Sequence, residues 1–286
     1  MNPSDRVVRV YLSSRRIFGK PFQTNFYVGD EWQREISEAG LHAEQRTKDF
    51  TFDQRIRFRS LQLAYGYNYQ KQDLRITSDD PAVPPVQLKG NLSRLLGSFY
   101  YDRRDNVLDT SRGFFHSTSA EIAPEWLGST AYYRKYLNQD FYFLPLPGTL
   151  VLASAARIEL ASGPGQVFIT SERLHAGGST TIRGYDDVSL ELLGQEAVGH
   201  RTSLLVLNEE LRFPIVRRFR GALFVDHGTF FGEFNLPDLN KNRTSAGLGV
   251  RFVLPFILLR VDYGYPLKQD STNDHGRWYF AIGQAF

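Results

Sequence analysis

The stretch Phe256-Ile-Leu-Leu-Arg-Val-Asp-Tyr-Gly-Tyr265 alternates side-chain character almost residue by residue. Ile257, Leu259, Val261, Tyr263 and Tyr265 share one face, and Leu258, Arg260, Asp262 and Gly264 share the other. A period of two is the signature of a β-strand. The second face distinguishes this strand from one in a soluble sandwich. It carries an arginine, an aspartate and a glycine where a sandwich would place a second apolar set.

The same pattern recurs outward from this segment. Ala246, Leu248, Val250 and Phe252 alternate with Ser245, Gly247, Gly249 and Arg251. Leu205, Leu207, Leu211 and Phe213 oppose Val206, Asn208, Glu210 and Arg212, with Glu209 as an exception on its apolar face. Leu61, Leu63, Tyr65, Tyr67 and Tyr69 alternate with Gln62, Ala64, Gly66 and Asn68, and Trp278, Phe280, Ile282 and Phe286 with Arg277, Tyr279, Ala281, Gly283 and Ala285. Thirteen strands are expected, near 6–16, 21–30, 36–46, 55–69, 91–103, 113–124, 131–144, 149–162, 203–215, 220–231, 243–254, 256–267 and 277–286.

Many of these strands run nine to eleven residues, the length a tilted strand needs to cross a bilayer, whereas strands in soluble domains average about 5–6. No run approaches the roughly 20 apolar residues of a membrane helix, and the longest, Phe252 to Leu259, is broken by Pro255. The mean hydropathy of −0.35 does not speak against a membrane barrel, because outward and inward residues average out along each strand. The 22 Phe and 15 Tyr suit strands and interfacial aromatic girdles. The expected fold is therefore all-β. It is an antiparallel up-and-down transmembrane β-barrel of about 12–16 strands, forming a single domain over residues 1–286. An odd strand number is at odds with the even numbers of bacterial single-chain barrels, so one strand is miscounted or lies outside this chain.

Composition narrows the chemistry. There is no cysteine, hence no disulfide framework or thiolate metal site. With 34 basic and 31 acidic residues the net charge is +3, which argues against a dedicated nucleic-acid binder. The six histidines lack metal-ligand spacing, and neither a Gly-x-Ser-x-Gly elbow nor a phosphate-binding loop is present. No enzyme activity, catalytic residue, metal or cofactor is expected. The opening Met1-Asn-Pro-Ser-Asp5 has no secretion-signal pattern, so an exported protein would be represented here by a mature or excised chain. Arg217, Arg218 and Arg220 form a basic cluster at a turn, read either as solvated or as touching anionic headgroups.

Most connections are short, but residues 163–202 form a long one, and a connection of that length usually carries function. It contains His175-Ala-Gly-Gly-Ser-Thr-Thr-Ile-Arg-Gly-Tyr-Asp-Asp187. This resembles the Gly-Gly…Arg-Gly-Phe/Tyr signature of the Omp85 superfamily, whose members insert or translocate proteins at outer membranes. Asp102-Arg-Arg-Asp-Asn-Val-Leu-Asp-Thr-Ser-Arg-Gly113, Asn208-Glu-Glu-Leu-Arg-Phe-Pro214, Leu223-Phe-Val-Asp-His-Gly228, Ser245-Ala-Gly-Leu-Gly-Val-Arg251 and Leu259-Arg-Val-Asp-Tyr-Gly-Tyr-Pro266 resemble family segments in the same order.

The resemblance implies that the long loop folds into the lumen and that Arg183 meets Glu210 and Asp226 on the next two strands. Gly177, Gly178 and Gly184 would permit the tight backbone, and Tyr185 would pack at the tip. The residues alone leave open an ordinary Gly177-Gly178 turn with a solvated Arg183. Trp278, Phe280, Ile282 and Phe286 would line one side of the seam between first and last strands that the family is thought to open. Family members usually have sixteen strands preceded by periplasmic polypeptide-binding domains, and nothing in this chain resembles those domains. The implied function is assembly and insertion of outer-membrane proteins in a Gram-negative type envelope. The implied partners are outer-membrane lipid, unfolded client β-barrels or secreted polypeptides, and periplasmic domains or lipoproteins outside this chain. The alternative is a passive pore or a structural membrane anchor.

Overall fold

The computed structural model describes residues 6–16, 22–36, 41–80, 82–130, 132–162, 175–185, 188–189, 201–232, 242–268 and 275–286. The strands are β1 (Arg6–Ser14), β2 (Phe22–Ile36), β3 (Leu41–Phe58), β4 (Leu61–Ser78), β5 (Val86–Asp102), β6 (Gly113–Ala123), β7 (Tyr133–Leu146) and β8 (Leu150–Ser162). There follow the short β9 (His175–Ala176) and β10 (Val188–Ser189), then β11 (Arg201–Val216), β12 (Phe219–Gly232), β13 (Asn242–Val253), β14 (Leu258–Pro266) and β15 (Arg277–Ile282). Thirteen strands hydrogen-bond in chain order, β1 to β8 and then β11 to β15, as an up-and-down antiparallel meander; β9 and β10 pair only with each other.

By contact density the chain forms two compact units. Of the described residues, the first comprises those up to 99 and those within 119–134, the second those within 100–118 and 135–162 and those from 175 to 286.

In the first unit the strands overrun the expected boundaries. Expected turns at 31–35 and 47–54 are instead continuous ladder, and β3 and β4 reach 18 residues each. Charged residues do not end a strand when the facing strand supplies an opposite charge. Asp30 and Arg46, the last residues of two expected strands, pair through two hydrogen bonds of 3.0 and 2.6 Å, and the ladder continues past both. The β3–β4 hairpin closes on Arg59-Ser60 with Arg59 at φ +50°, as tight two-residue turns demand. One face carries a polar network. Asn25 receives Tyr11 and Ser13 and donates to Asp53, while Arg94 bonds Asn68 (2.6 Å) and Gln70 (3.1 Å) and pairs with Glu121.

In the second unit the two faces of the sheet divide sharply. On β11, Leu204, Val206, Asn208, Glu210 and Arg212 are buried, whereas Leu207 is 41% exposed. On β14, Leu258, Arg260, Asp262, Gly264 and Pro266 point inward. The outer face carries Leu223, Val225, Leu248, Leu259, Trp278 and Phe280, all exposed. Charged side chains inside and apolar ones outside invert the order of a water-soluble domain.

The last strand stops at Ile282, earlier than the alternation suggested. Gly283 takes φ +94°, a conformation that disfavours other residues and breaks the two-residue period. Phe286 therefore leaves the face of Trp278, Phe280 and Ile282. Its ring lies 5.7 Å from that of Phe141 and 6.4 Å from that of Phe143, with the Arg212 guanidinium over it at 5.6 Å. This corrects the expected placement of Phe286 on the outward face.

Candidate functional site

The long connection returns onto the buried face of the second unit at residues 175–185; residues 163–174, 186–187 and 190–200 lie outside those described. The segment is knotted locally. Gly177 donates its N–H to Thr181 Oγ1 at 2.8 Å, and the Gly178 N–H closes the turn on the Tyr185 carbonyl at 3.0 Å. Gly177 and Gly178 have φ of +117° and +79°, so a side chain at either position would be strained. Ala176, Ile182 and Tyr185 pack with Leu204 and Val206 of β11 in an apolar cluster, which seats the turn.

That seating aims Arg183, 1% exposed, at three carboxylates. Its Nε and Nη2 donate to Asp226 at 2.8 Å each, and its backbone N–H donates to the same carboxylate at 3.0 Å. Nη1 donates to Glu210 at 3.1 Å and to Asp262 at 3.3 Å. The guanidinium carbon lies 3.3 Å from the Phe224 ring centroid, a cation–π contact. Burial pulls the Arg183 proton affinity down, but the hydrogen bonds to Asp226 and the charges of Asp226, Glu210 and Asp262 outweigh it and hold the group firmly protonated.

The strands extend the network. Arg251 donates to Glu210 at 3.0 Å and to Asp262, Arg260 to Asp262 and to the Ser179 carbonyl at 2.8 Å each, and Arg212 to Glu210 at 2.8 Å. Asn208 donates to Asp226 at 2.8 Å and to the Thr181 carbonyl at 2.6 Å. Buried charges persist when each is paired and hydrogen-bonded, and these meet that condition through several strands at once.

Gly184 and Tyr185 secure the other side. The Tyr279 hydroxyl on β15 accepts the Gly184 N–H at 2.9 Å and donates to the Tyr185 carbonyl at 3.0 Å. The Tyr185 hydroxyl reaches the carbonyls of Thr244 (3.0 Å) and Lys268 (2.6 Å). Gly264 gives room for the loop backbone: a Cβ there would stand 2.7 Å from the Arg183 carbonyl carbon and from the Gly184 nitrogen.

Thus Gly177, Gly178, Arg183, Gly184, Tyr185, Glu210 and Asp226 all meet at one place. Trp278, Phe280 and Ile282 lie apart from it on the outer face, 62, 77 and 73% exposed. Sequence reasoning missed Asp262, Arg251, Arg260, Asn208 and Tyr279 as members. The polar faces of their strands carried a signal for the charged ones; Tyr279 carried none beyond its parity. Among the described residues no group of three potential ligands is arranged to hold a metal ion.

A family model described as the Omp85 superfamily domain matches residues 5–286. The chain belongs to the Omp85 superfamily. It is 25% identical over 221 residues to the outer membrane protein assembly factor BamA of Neisseria meningitidis serogroup B, covering 65% of this chain and 28% of that protein. It is 27% identical over 240 residues to the outer membrane protein assembly factor BamA of Nitratidesulfovibrio vulgaris, covering 78% of this chain and 30% of that protein. The chain therefore spans about 30% of the length of these curated relatives. Among solved structures, BamA from Haemophilus ducreyi lacking POTRA domains 1–3 superposes with a TM-score of 0.74 at 15% identity, over 98% of this chain and 62% of that one. This Omp85 chain is an outer-membrane β-barrel protein, and the inverted faces of its second unit are the physical expression of that location.

Proposed function

We propose that this Omp85 chain works as the barrel part of an assembly factor that folds and inserts client β-barrels into the outer membrane, or passes polypeptides across it. The observation that supports this is the loop lock. One buried arginine holds the 175–185 turn against β11, β12 and β14, and Tyr279 ties the same turn to β15. A passive pore has no need of so many interlocked charges to hold one loop against the last strand, whereas a wall that must keep its shape while clients are handled does. β15 is six residues long and hydrogen-bonds to β14 on one side, so its other edge is suited to backbone pairing with an incoming strand. On this reading the work is physical and uses no cofactor. The chain lowers the barrier to membrane folding, with outer-membrane lipid and unfolded clients as its partners and with accessory domains or lipoproteins outside this chain.

The test is client folding into liposomes. Purified chain is reconstituted, an unfolded outer-membrane barrel is added, and folding is followed by gel shift beside Arg183→Ala and empty liposomes. Acceleration that the substitution abolishes supports the proposal. A rate equal to that of empty liposomes overturns it for this chain and leaves a pore or an anchor.

A further inference from the structure

The outer face of the second unit carries a carboxylate, amid leucines of β11, that the loop lock does not explain. Glu209 on β11 points outward, between Leu207 and Leu211 of its own strand and opposite Val225 of β12. Its carboxylate accepts a 2.6 Å hydrogen bond from Ser154 of β8, its other cross-strand neighbour. Ser154 is the only group bonded to Glu209 among the described residues. The outward residues of β11 read Leu205, Leu207, Glu209, Leu211, Phe213 and Ile215, which puts the carboxylate near the middle of the apolar stripe. At the usual strand rise and tilt it lies about 10 Å or more from either end of that stripe. Hydrocarbon offers no donor to a carboxylate, and an ionisable side chain at such depth calls for a protein partner.

The same face carries a complementary group one ladder step away. His227 on β12 stands opposite Leu207, and its Nδ1 lies 2.8 Å from the Thr244 hydroxyl of β13. When that hydroxyl donates to Nδ1, the proton sits on Nε2 and is available as a donor. Glu209, an acceptor, and His227, a donor, therefore sit diagonally on adjacent strands amid Leu207, Leu223 and Val225, which are 41, 51 and 48% exposed. Such a patch is self-complementary under a two-fold axis along the membrane normal, because each copy carries both groups and the acceptor of one can meet the donor of the other.

We infer that this face, centred on Leu207 and Val225, is where a second copy of the chain docks in the membrane, with Glu209 of each copy meeting His227 of the other. Polar side chains hydrogen-bonding across an otherwise apolar contact act as the specific glue between membrane segments, where apolar contact alone has lipid as an equal competitor.

The absence of native cysteine makes the test clean. Leu207→Cys and, as a control on the outer face of β13, Leu248→Cys are each reconstituted into liposomes at low protein density and mildly oxidised. Leu207→Cys is expected to give disulfide-linked dimers and Leu248→Cys to remain monomeric. Adding Glu209→Leu to Leu207→Cys should lower the dimer yield about tenfold, the effect of losing a membrane hydrogen bond pair. Glu209→Gln, which still accepts a hydrogen bond, should retain most of it. The folded-barrel gel shift confirms that each variant is folded before the comparison. Equal cross-linking at 207 and 248, no cross-linking at 207, or a dimer yield indifferent to Glu209→Leu each overturns the inference.

Discussion

The Arg183 guanidinium grips Asp226 by two parallel hydrogen bonds of 2.8 Å, and the backbone N–H of Arg183 bonds the same carboxylate at 3.0 Å. Side chain and main chain of one loop residue thus converge on one strand carboxylate. Planar two-pronged pairing is specific to arginine, since lysine presents a single point charge.

Arg183→Ala should therefore destabilise the folded protein by about 3–5 kcal/mol, because it leaves Asp226 and part of Glu210 and Asp262 buried without their cation. Arg183→Lys should recover only part of that loss. Unfolding midpoints in urea, read by the heat-modifiable gel shift in lipid, give the ranking; a lysine variant as stable as the parent would show that charge alone suffices.

Gly264→Ala tests the close approach of loop and strand. Its methyl would meet the Arg183 carbonyl carbon and the Gly184 nitrogen at 2.7 Å, and both are backbone atoms with little freedom to move. Overpacking of this kind costs about 1–3 kcal/mol. The expected signature is protease cleavage between residues 175 and 185 in a barrel that otherwise stays intact.

Tyr279→Phe removes one hydroxyl that serves both the Gly184 N–H and the Tyr185 carbonyl. Two backbone groups are left without their partner, at about 1–3 kcal/mol for each that stays buried. Amide exchange at Gly184 should quicken while exchange on β11 and β12 is unchanged. Equal exchange in the two proteins would remove Tyr279 from the lock.

The turn after β5 has a pH dependence of definite sign. Burial would raise the Asp105 carboxyl, but the Ser111 hydroxyl and the N–H groups of Ser111, Arg112 and Asn106 hydrogen-bond the ionised form and bring it below the ordinary carboxylate range. A carboxyl lowered by folding contributes stability that is fully present above its unfolded pKa and is lost as pH falls through its folded value. Protection of the Ser111 and Arg112 amides, corrected for intrinsic exchange, should thus fall between neutral pH and strongly acid pH. In Asp105→Asn that fall should vanish.

Much of the molecule could be read from parity alone. Leu205, Leu207 and Leu211 against Asn208, Glu210 and Arg212 set both the strand and its two environments, because consecutive side chains on a strand must point to opposite faces. The glycines and the Arg-Gly-Tyr of residues 177–185 mark the loop, and Glu209 stands out from the alternation of its own strand. Strand ends were less legible. Residues 47–54 look like a connection, yet each has a ladder partner on β2, with Lys48 opposite Asp30; a ladder ends where pairing ends, which one strand's sequence does not state.

What the chain determined by itself, then, was its alternation, and through it a β meander with polar and apolar faces exchanged relative to a soluble protein. Only the tertiary structure decided which acids share Arg183. Asp262 lies 79 positions along the chain from it, and the two meet because the register of β11 through β14 carries the polar faces of those strands to the place where the loop returns. It also decided that Phe286 turns inward at Gly283, since one residue of positive φ is enough to end a period of two. Local pattern follows from the stereochemistry of single residues; long-range pairing follows from the sum of many registers, and no short segment contains it.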